Sequence, residues 1–186
     1  MFEEIIAGLS ARDERIQERI YVHYWGYLMA ITSRYFNDRN IAREVVNDSF
    51  MKAFKTMYDF RFGGDLQDFQ KTFKAWLATI TVRTALDKIR ANKSTLSYVD
   101  EYEEVHTGYV EVEQKLFAED ILKLLHELPD LHRAVFNLFE IEGYSHDEIA
   151  GMVNIPASSS RTYLTRAKQK LRELYIKRIG ITDGTA

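Results

Sequence analysis

Ser145-His146-Asp147-Glu148-Ile149-Ala150-Gly151-Met152-Val153-Asn154-Ile155-Pro156 runs on into Ala157-Ser158-Ser159-Ser160-Arg161-Thr162-Tyr163-Leu164-Thr165-Arg166-Ala167-Lys168-Gln169-Lys170-Leu171-Arg172. Its punctuation sets the architecture. Gly143 ends the preceding helix, and Ser145 with Glu148 forms an S-x-x-E capping-box pair that opens a short one. Asn154 stands where a left-handed residue is wanted, and Pro156 at a first helical position launches a longer helix. On that helix Leu164, Ala167, Leu171 and Leu174 recur at three-and-four spacing and face inward. Ser159, Arg161, Thr162, Thr165, Arg166, Lys168 and Arg172 are left mostly outward. Short helix, tight turn, longer helix is the pattern of a helix-turn-helix.

Upstream of this stretch the chain also reads as helix. Leu128-Pro129 breaks a helix that starts near Val112 and runs through His126; Asp130 to Glu140 forms the next, with Leu131, Val135, Leu138 and Phe139 inward. Nearer the N-terminus, Ala42, Val45, Val46, Phe50, Ala53, Phe54 and Met57 keep helical spacing to about Tyr58, with Asp38 or Asn40 as cap. Before them, roughly Arg12 to Tyr35 is an aromatic-rich helix whose Tyr21, Tyr24, Trp25, Leu28 and Ile31 share a broad buried face. Asp59 to Thr72, with Gly63-Gly64, reads as a loop. A third run, from Phe73 to about Lys93, turns Phe73, Trp76, Leu77, Ile80, Ala85 and Ile89 inward. Between Lys93 and Glu113 periodicity is lost and acidic residues gather. The expectation is an all-α chain of two small helical domains, 1–92 and 112–186, joined by an acidic flexible linker, 93–111. About twenty residues of such chain reach at most roughly 66 to 72 Å when extended, enough to place the two domains on well-separated sites.

Composition narrows the function classes. The 186 residues are 46% hydrophobic and 28% charged, which excludes wholesale disorder. There are no cysteines, so disulfide frameworks, thiolate nucleophiles and sulfur-ligated zinc are excluded. No basic leader or long apolar run occurs, and a soluble cytoplasmic protein without direct membrane insertion is expected. No phosphate loop, H-E-x-x-H pair or nucleophile elbow is present. His23, His106, His126, His132 and His146 lack metal-ligand spacing. No catalytic residue, metal or cofactor is assigned, and an enzyme is not expected.

The net charge of -3 hides a division. Residues 157–178 carry seven basic side chains against Glu173 alone. Lysine and arginine neutralise phosphates, while arginine, serine and threonine also reach base edges, so this helix suits a major groove. A recognition helix enters by its N-terminal part, which makes Ser158, Ser159, Arg161, Thr162, Thr165 and Arg166 the base-reading candidates. Lys168, Lys170 and Arg172 are better placed for phosphates. The competing account of any such charge run is a solvated helix face.

The whole chain resembles the extracytoplasmic-function sigma factors of bacterial RNA polymerase, a branch of the sigma-70 family. Leu128-Pro129 with Arg133, Val135 and Phe136, then Glu142-Gly143-Tyr144-Ser145 with Glu148-Ile149-Ala150, then Arg166-Ala167 with Leu171-Arg172 follow the family's C-terminal pattern. Asp38-Arg39, Ala42, Val45-Val46-Asn47-Asp48, Phe50, Phe54, Phe73-Lys74-Ala75-Trp76-Leu77, Ile80, Ala85-Leu86-Asp87 and Arg90 are similar to its N-terminal domain. The resemblance spans roughly residues 10 to 178.

This resemblance implies a transcription initiation factor with two tasks. The C-terminal domain would read the minus-35 element as duplex through Ser158, Ser159, Arg161, Thr162, Thr165, Arg166 and Lys168. The N-terminal domain would dock on polymerase core through Arg43, Glu44, Asn47, Asp48, Met51 and Lys52. It would also take the melted minus-10 strand, including a flipped base, with Arg61, Phe62, Phe69, Lys71, Lys74, Arg83 and Lys88. Implied partners are the clamp helices of the largest polymerase subunit, the flap of the second subunit, promoter DNA and an anti-sigma factor. The acidic linker would thread the RNA channel of the polymerase. Two departures stand out: Val82-Arg83 replaces a common arginine-asparagine pair, and Ser158-Ser159-Ser160 replaces a glycine-threonine-apolar trio. The rival reading is a free-standing helix-turn-helix regulator, which leaves the first 90 residues without a task.

Overall fold

The computed structural model describes residues 2–11, 13–61, 64–93 and 118–180, and every regular element among them is helical. The chain divides into two compact units, Met1–Lys88 and Ile89–Ala186. The expected acidic linker beyond Lys93, the expected helix start near Val112 and Phe62 lie outside the described residues. Among those described, no helix is long and apolar enough to cross a membrane.

The first unit opens with α1 (Phe2–Ala11), which the sequence reading did not anticipate, followed by α2 (Arg15–Thr32). Ile5 and Leu9 of α1 are buried, as are Ile16 and Ile20 of α2. The two helices approach closely at Gly8, since a Cβ there would lie 2.9 Å from Ile16 Cγ1. Asp13 shapes the turn between them by accepting from the Arg15 backbone N–H at 3.0 Å. The expected single helix from Arg12 therefore begins at Arg15.

Asp38, not Asn40, caps α3 (Arg39–Thr56), its carboxylate accepting from the Asn40 N–H at 2.7 Å. Ala42, Val45, Val46, Phe50 and Ala53 form its buried stripe, in agreement with the spacing, and Ser49 joins them by donating its hydroxyl to Val45 O at 2.6 Å. After a 3-10 turn, Met57–Asp59, α4 extends from Leu66 to Lys93. It starts seven residues before the expected Phe73, because Asp65 Oδ1 accepts from the N–H groups of Gln67 at 2.8 Å and Asp68 at 2.9 Å. Buried Thr81 and Thr84 satisfy their hydroxyls on their own helix, at Leu77 O and Ile80 O. Val82 is buried, so the valine of the Val82-Arg83 departure belongs to the core and only Arg83 faces solvent.

The early start of α4 corrects one expectation. Phe69 falls one turn before Phe73, on the same face, and is 1% exposed. It stacks on Phe73 with ring centroids 5.4 Å apart, and Phe60 meets both rings edge-on. Pulling Phe69 out to stack on a base would exchange about 1.5–3 kcal/mol of burial for about 1–3 kcal/mol of stacking. That leaves no net gain, and Phe69 is a core residue.

In the second unit α5 (Ala118–His126), α6 (Asp130–Phe136), a π-helical turn (Asn137–Ile141), α7 (His146–Val153) and α8 (Ala157–Gly180) follow in order. Leu125, Leu128 and Ala167 form a buried cluster flanked by Leu122, Phe136 and Leu171. Arg133 is buried beside it: one guanidinium nitrogen donates to Leu128 O at 3.2 Å and the other to Asp130 Oδ1 at 2.5 Å. It thereby places a cation at the C-terminal end of α5, where carbonyls lack helical partners. Burial lowers the Arg133 pKa, and Asp130 opposes that shift.

Candidate nucleic-acid interface

The start of α7 and the turn from α7 into α8 have the predicted construction. Ser145 and Glu148 complete a reciprocal capping box: the Ser145 N–H donates to Glu148 Oε2 at 2.8 Å, and the Glu148 N–H to Ser145 Oγ at 3.3 Å. The Ser145 N–H, together with the Ser145 hydroxyl that donates to the same oxygen at 2.7 Å, holds the Glu148 carboxyl below its usual value. Asn154 adopts φ 55, the left-handed conformation expected of it, and Gly143, expected to end the preceding helix, has φ 78. Pro156 immediately precedes α8, one residue earlier than the expected first helical position.

Leu164 and Ala167 anchor the inner side of α8, while Ser158, Arg161, Thr162, Thr165 and Lys168 are exposed. Steps of three and four place these five along one outward stripe. Arg161 makes no ion pair among the described residues. Ser159 and Arg166 are half-buried. Ser160, the last of the serine trio, is fully buried and its hydroxyl lies 2.9 Å from His146 Nδ1. His146 in turn stacks on Phe139, centroids 4.5 Å apart. The third serine thus couples α8 to α7 and leaves Ser158 and Ser159 to the surface. Lys168 is not a bare cation: its Nζ lies 2.6 Å from Glu140 Oε1. Glu140 was not singled out in the sequence, because a carboxylate on an expected helix face gives no sign of its partner.

On α3, Arg43, Glu44, Asn47, Asp48, Met51 and Lys52 are all exposed, opposite the buried stripe, and Met51 is 60% exposed. Two of the six are tied to α4: Glu44 accepts from Lys88 Nζ at 2.6 Å, and Lys52 donates to Asp87 at 3.1 Å. Asn47 accepts from the Tyr21 hydroxyl at 3.1 Å. Tyr21, expected on a buried face, is 37% exposed and rests its ring against Phe50.

The remaining candidates do not form one cluster. Lys71 and Lys74 are exposed near the start of α4, with Lys74 Nζ 4.3 Å from the centre of the Tyr27 ring. Arg61 donates to Tyr58 O at 3.1 Å just before them. Arg83 is exposed nine residues after Lys74; at 3.6 residues per turn that is the opposite side of the helix. Lys88 lies about 25 Å along the axis from Lys71 and is held by Glu44.

Comparison with known proteins bears on these surfaces. The model for sigma-70 region 2 matches residues 20–95, and that for sigma-70 region 4 matches residues 118–171. The chain belongs to the sigma-70 family, in its extracytoplasmic-function group. Curated relatives match over nearly their whole length. The ECF RNA polymerase sigma-E factor of Haemophilus influenzae is 24% identical over 91% of this chain and 92% of its own. That of Salmonella typhimurium is 27% identical over 90% of both, and the ECF sigma factor SigM of Bacillus subtilis 23% identical over 89% and 98%. Among solved structures, the sigma factor RpoE of Bartonella quintana, crystallised with the anti-sigma factor NepR, has a TM-score of 0.52 at 22% identity, over 85% of this chain and 95% of that one. Its likeness extends to the all-helical fold. As a sigma factor, the chain serves promoter-specific initiation by RNA polymerase. The region 2 match contains the α3 face and α4, and the region 4 match contains the capped turn and the outward stripe of α8.

Proposed function

We propose that the two units divide promoter recognition. The unit 1 surface of α3, centred on Asn47, Asp48 and Met51, docks on the clamp helices of the core polymerase. Arg61, Lys71 and Lys74, around the loop before α4, take the melted minus-10 strand, where extruding a base costs a few kcal/mol that phosphate contacts and a pocket must offset. In unit 2, α8 enters the major groove of the minus-35 duplex with Ser158, Arg161, Thr162 and Thr165 toward bases and Lys168 toward phosphate. The flap of the second polymerase subunit holds this unit on the enzyme. The observation that carries the proposal is the stripe on α8: cationic and hydroxyl-bearing side chains stand outward directly after a capped tight turn. An anti-sigma factor completes the set of partners; the structurally similar Bartonella protein was crystallised with one.

The test mixes the full chain with sigma-free core polymerase. A stable complex and promoter-dependent run-off transcription that falls when the upstream element is scrambled are expected. Tight duplex binding without core association would instead mark a stand-alone helix-turn-helix regulator.

A further inference from the structure

The proposed duplex-reading stripe contains two threonines whose hydroxyls are already engaged. Thr162 Oγ1 donates to Ser158 O at 3.1 Å, and Thr165 Oγ1 donates to Arg161 O at 3.0 Å. Both side chains are exposed. A threonine Cβ carries two heavy branches, so turning the oxygen onto the preceding helical turn leaves the Cγ2 methyl as the branch directed away from it. The hydroxyl proton is spent, and what these residues offer a groove is a methyl group backed by an oxygen that can only accept. In the major groove the matching feature is the C5-methyl of thymine, which contacts threonine methyls.

We infer that Thr162 and Thr165 are specificity-determining residues that select A·T pairs in the upstream element through methyl contact with thymine, not by hydrogen-bond donation. Their spacing suits the task. Three residues of helix advance about 4.5 Å, and stacked base pairs advance about 3.4 Å, so two methyls at this spacing can reach neighbouring base pairs. Arg161, one residue from Thr162 on the exposed side, keeps its guanidinium donors for an adjacent guanine or a phosphate. The inference rests on the proposed entry of α8 into duplex DNA.

The experiment uses the full chain in holoenzyme with its core polymerase. Promoters are first selected by the unaltered holoenzyme from a library randomised in the upstream element. T162V, T162S, T165V and T165S are then compared on the selected promoters, each also prepared with uracil in place of thymine. Valine keeps the methyl and removes the hydroxyl; serine does the reverse. The valine variants should retain the A·T preference and its sensitivity to uracil. Each serine variant should lose about three- to fivefold in discrimination at one pair, the worth of one buried methyl, and become indifferent to uracil there. Loss of preference in the valine variants with retention in the serine variants would overturn the inference, as would selected promoters with no A·T pair at the positions affected. If scrambling the whole upstream element leaves the unaltered protein's transcription unchanged, the failure lies instead in the proposed duplex reading by α8.

Discussion

Two buried polar side chains show how differently such groups act. The Tyr24 hydroxyl is buried without a hydrogen-bond partner among the described residues, and burial pushes its pKa up to about 12. Its ring packs against Phe73, 5.7 Å between centroids. Removing an unsatisfied hydroxyl while keeping the ring relieves a desolvation cost of about 1–3 kcal/mol. Tyr24→Phe should therefore leave thermal stability unchanged or raise the Tm by a few degrees in a calorimetric scan; a clear fall would mean that the hydroxyl has a partner. Arg133 is a mixed case: its two terminal nitrogens bond Leu128 O and Asp130 Oδ1, while its Nε is buried without a hydrogen-bond partner among the described residues. Arg133→Ala should cost about 2–4 kcal/mol, because it opens a cavity and strips the His126 and Leu128 carbonyls of their donor. Arg133→Lys should recover only part of this, since an ammonium lacks the planar fork. Chemical denaturation of unit 2 checks both, and full rescue by lysine would reduce the role to charge alone.

Single side chains were also where sequence reasoning ran out. It assigned the rings of Phe62 and Phe69 to the melted strand. The answer for Phe69 depended on where α4 begins, and that start is set by the Asp65 carboxylate. An aspartate three residues before another acidic residue is a capping signal, but Gly63-Gly64 masked it. Ser160 was grouped with its two neighbours because composition cannot show that one of three serines turns inward to His146.

Among the helices, those with strong periodic signals and local caps were readable. The stripe of α3, the capping box of α7, the left-handed residues Gly143 and Asn154, and the inner side of α8 all follow from spacing and from the steric rules of the backbone. Helix α1 was missed although Ile5 and Leu9 stand four apart. The π turn at Asn137–Ile141 has no periodic signature, because it is one widened turn that closes the helical stretch begun by α6. The capping box yields a pH prediction. Because the Glu148 carboxyl titrates below its ordinary value in the folded protein, its stabilising effect is present at neutral pH. That effect is lost as the pH falls through the folded value. Glu148→Gln should flatten the acid limb of the stability curve of α7 and α8 while leaving core association unchanged. An unaltered acid limb would show that the carboxylate contributes nothing there.

Across the whole chain the two units carry different chemistry on the surfaces they leave exposed. Unit 1 offers a mixed face on α3, with Glu44 and Lys52 tied to α4 and Arg43, Asp48 and Met51 outward, the composition of a protein interface rim around an apolar centre. Unit 2 offers a stripe of cations and hydroxyls. The charge division between segments was visible in the sequence; the split of the minus-10 candidates around α4 was not, because it depends on helical phase over nine residues. The most direct measurement of this division of labour is a paired titration of Asp48→Lys and Arg161→Ala. Affinity for core polymerase and discrimination of the upstream element are read separately for each full-length variant. Asp48→Lys should weaken core association at least tenfold, yet keep upstream preference once saturated. Arg161→Ala should keep core affinity and lose roughly five- to a hundredfold in discrimination, the range for one lost base contact. Full core affinity in Asp48→Lys, or a loss of it in Arg161→Ala, would contradict the assignment of the two surfaces.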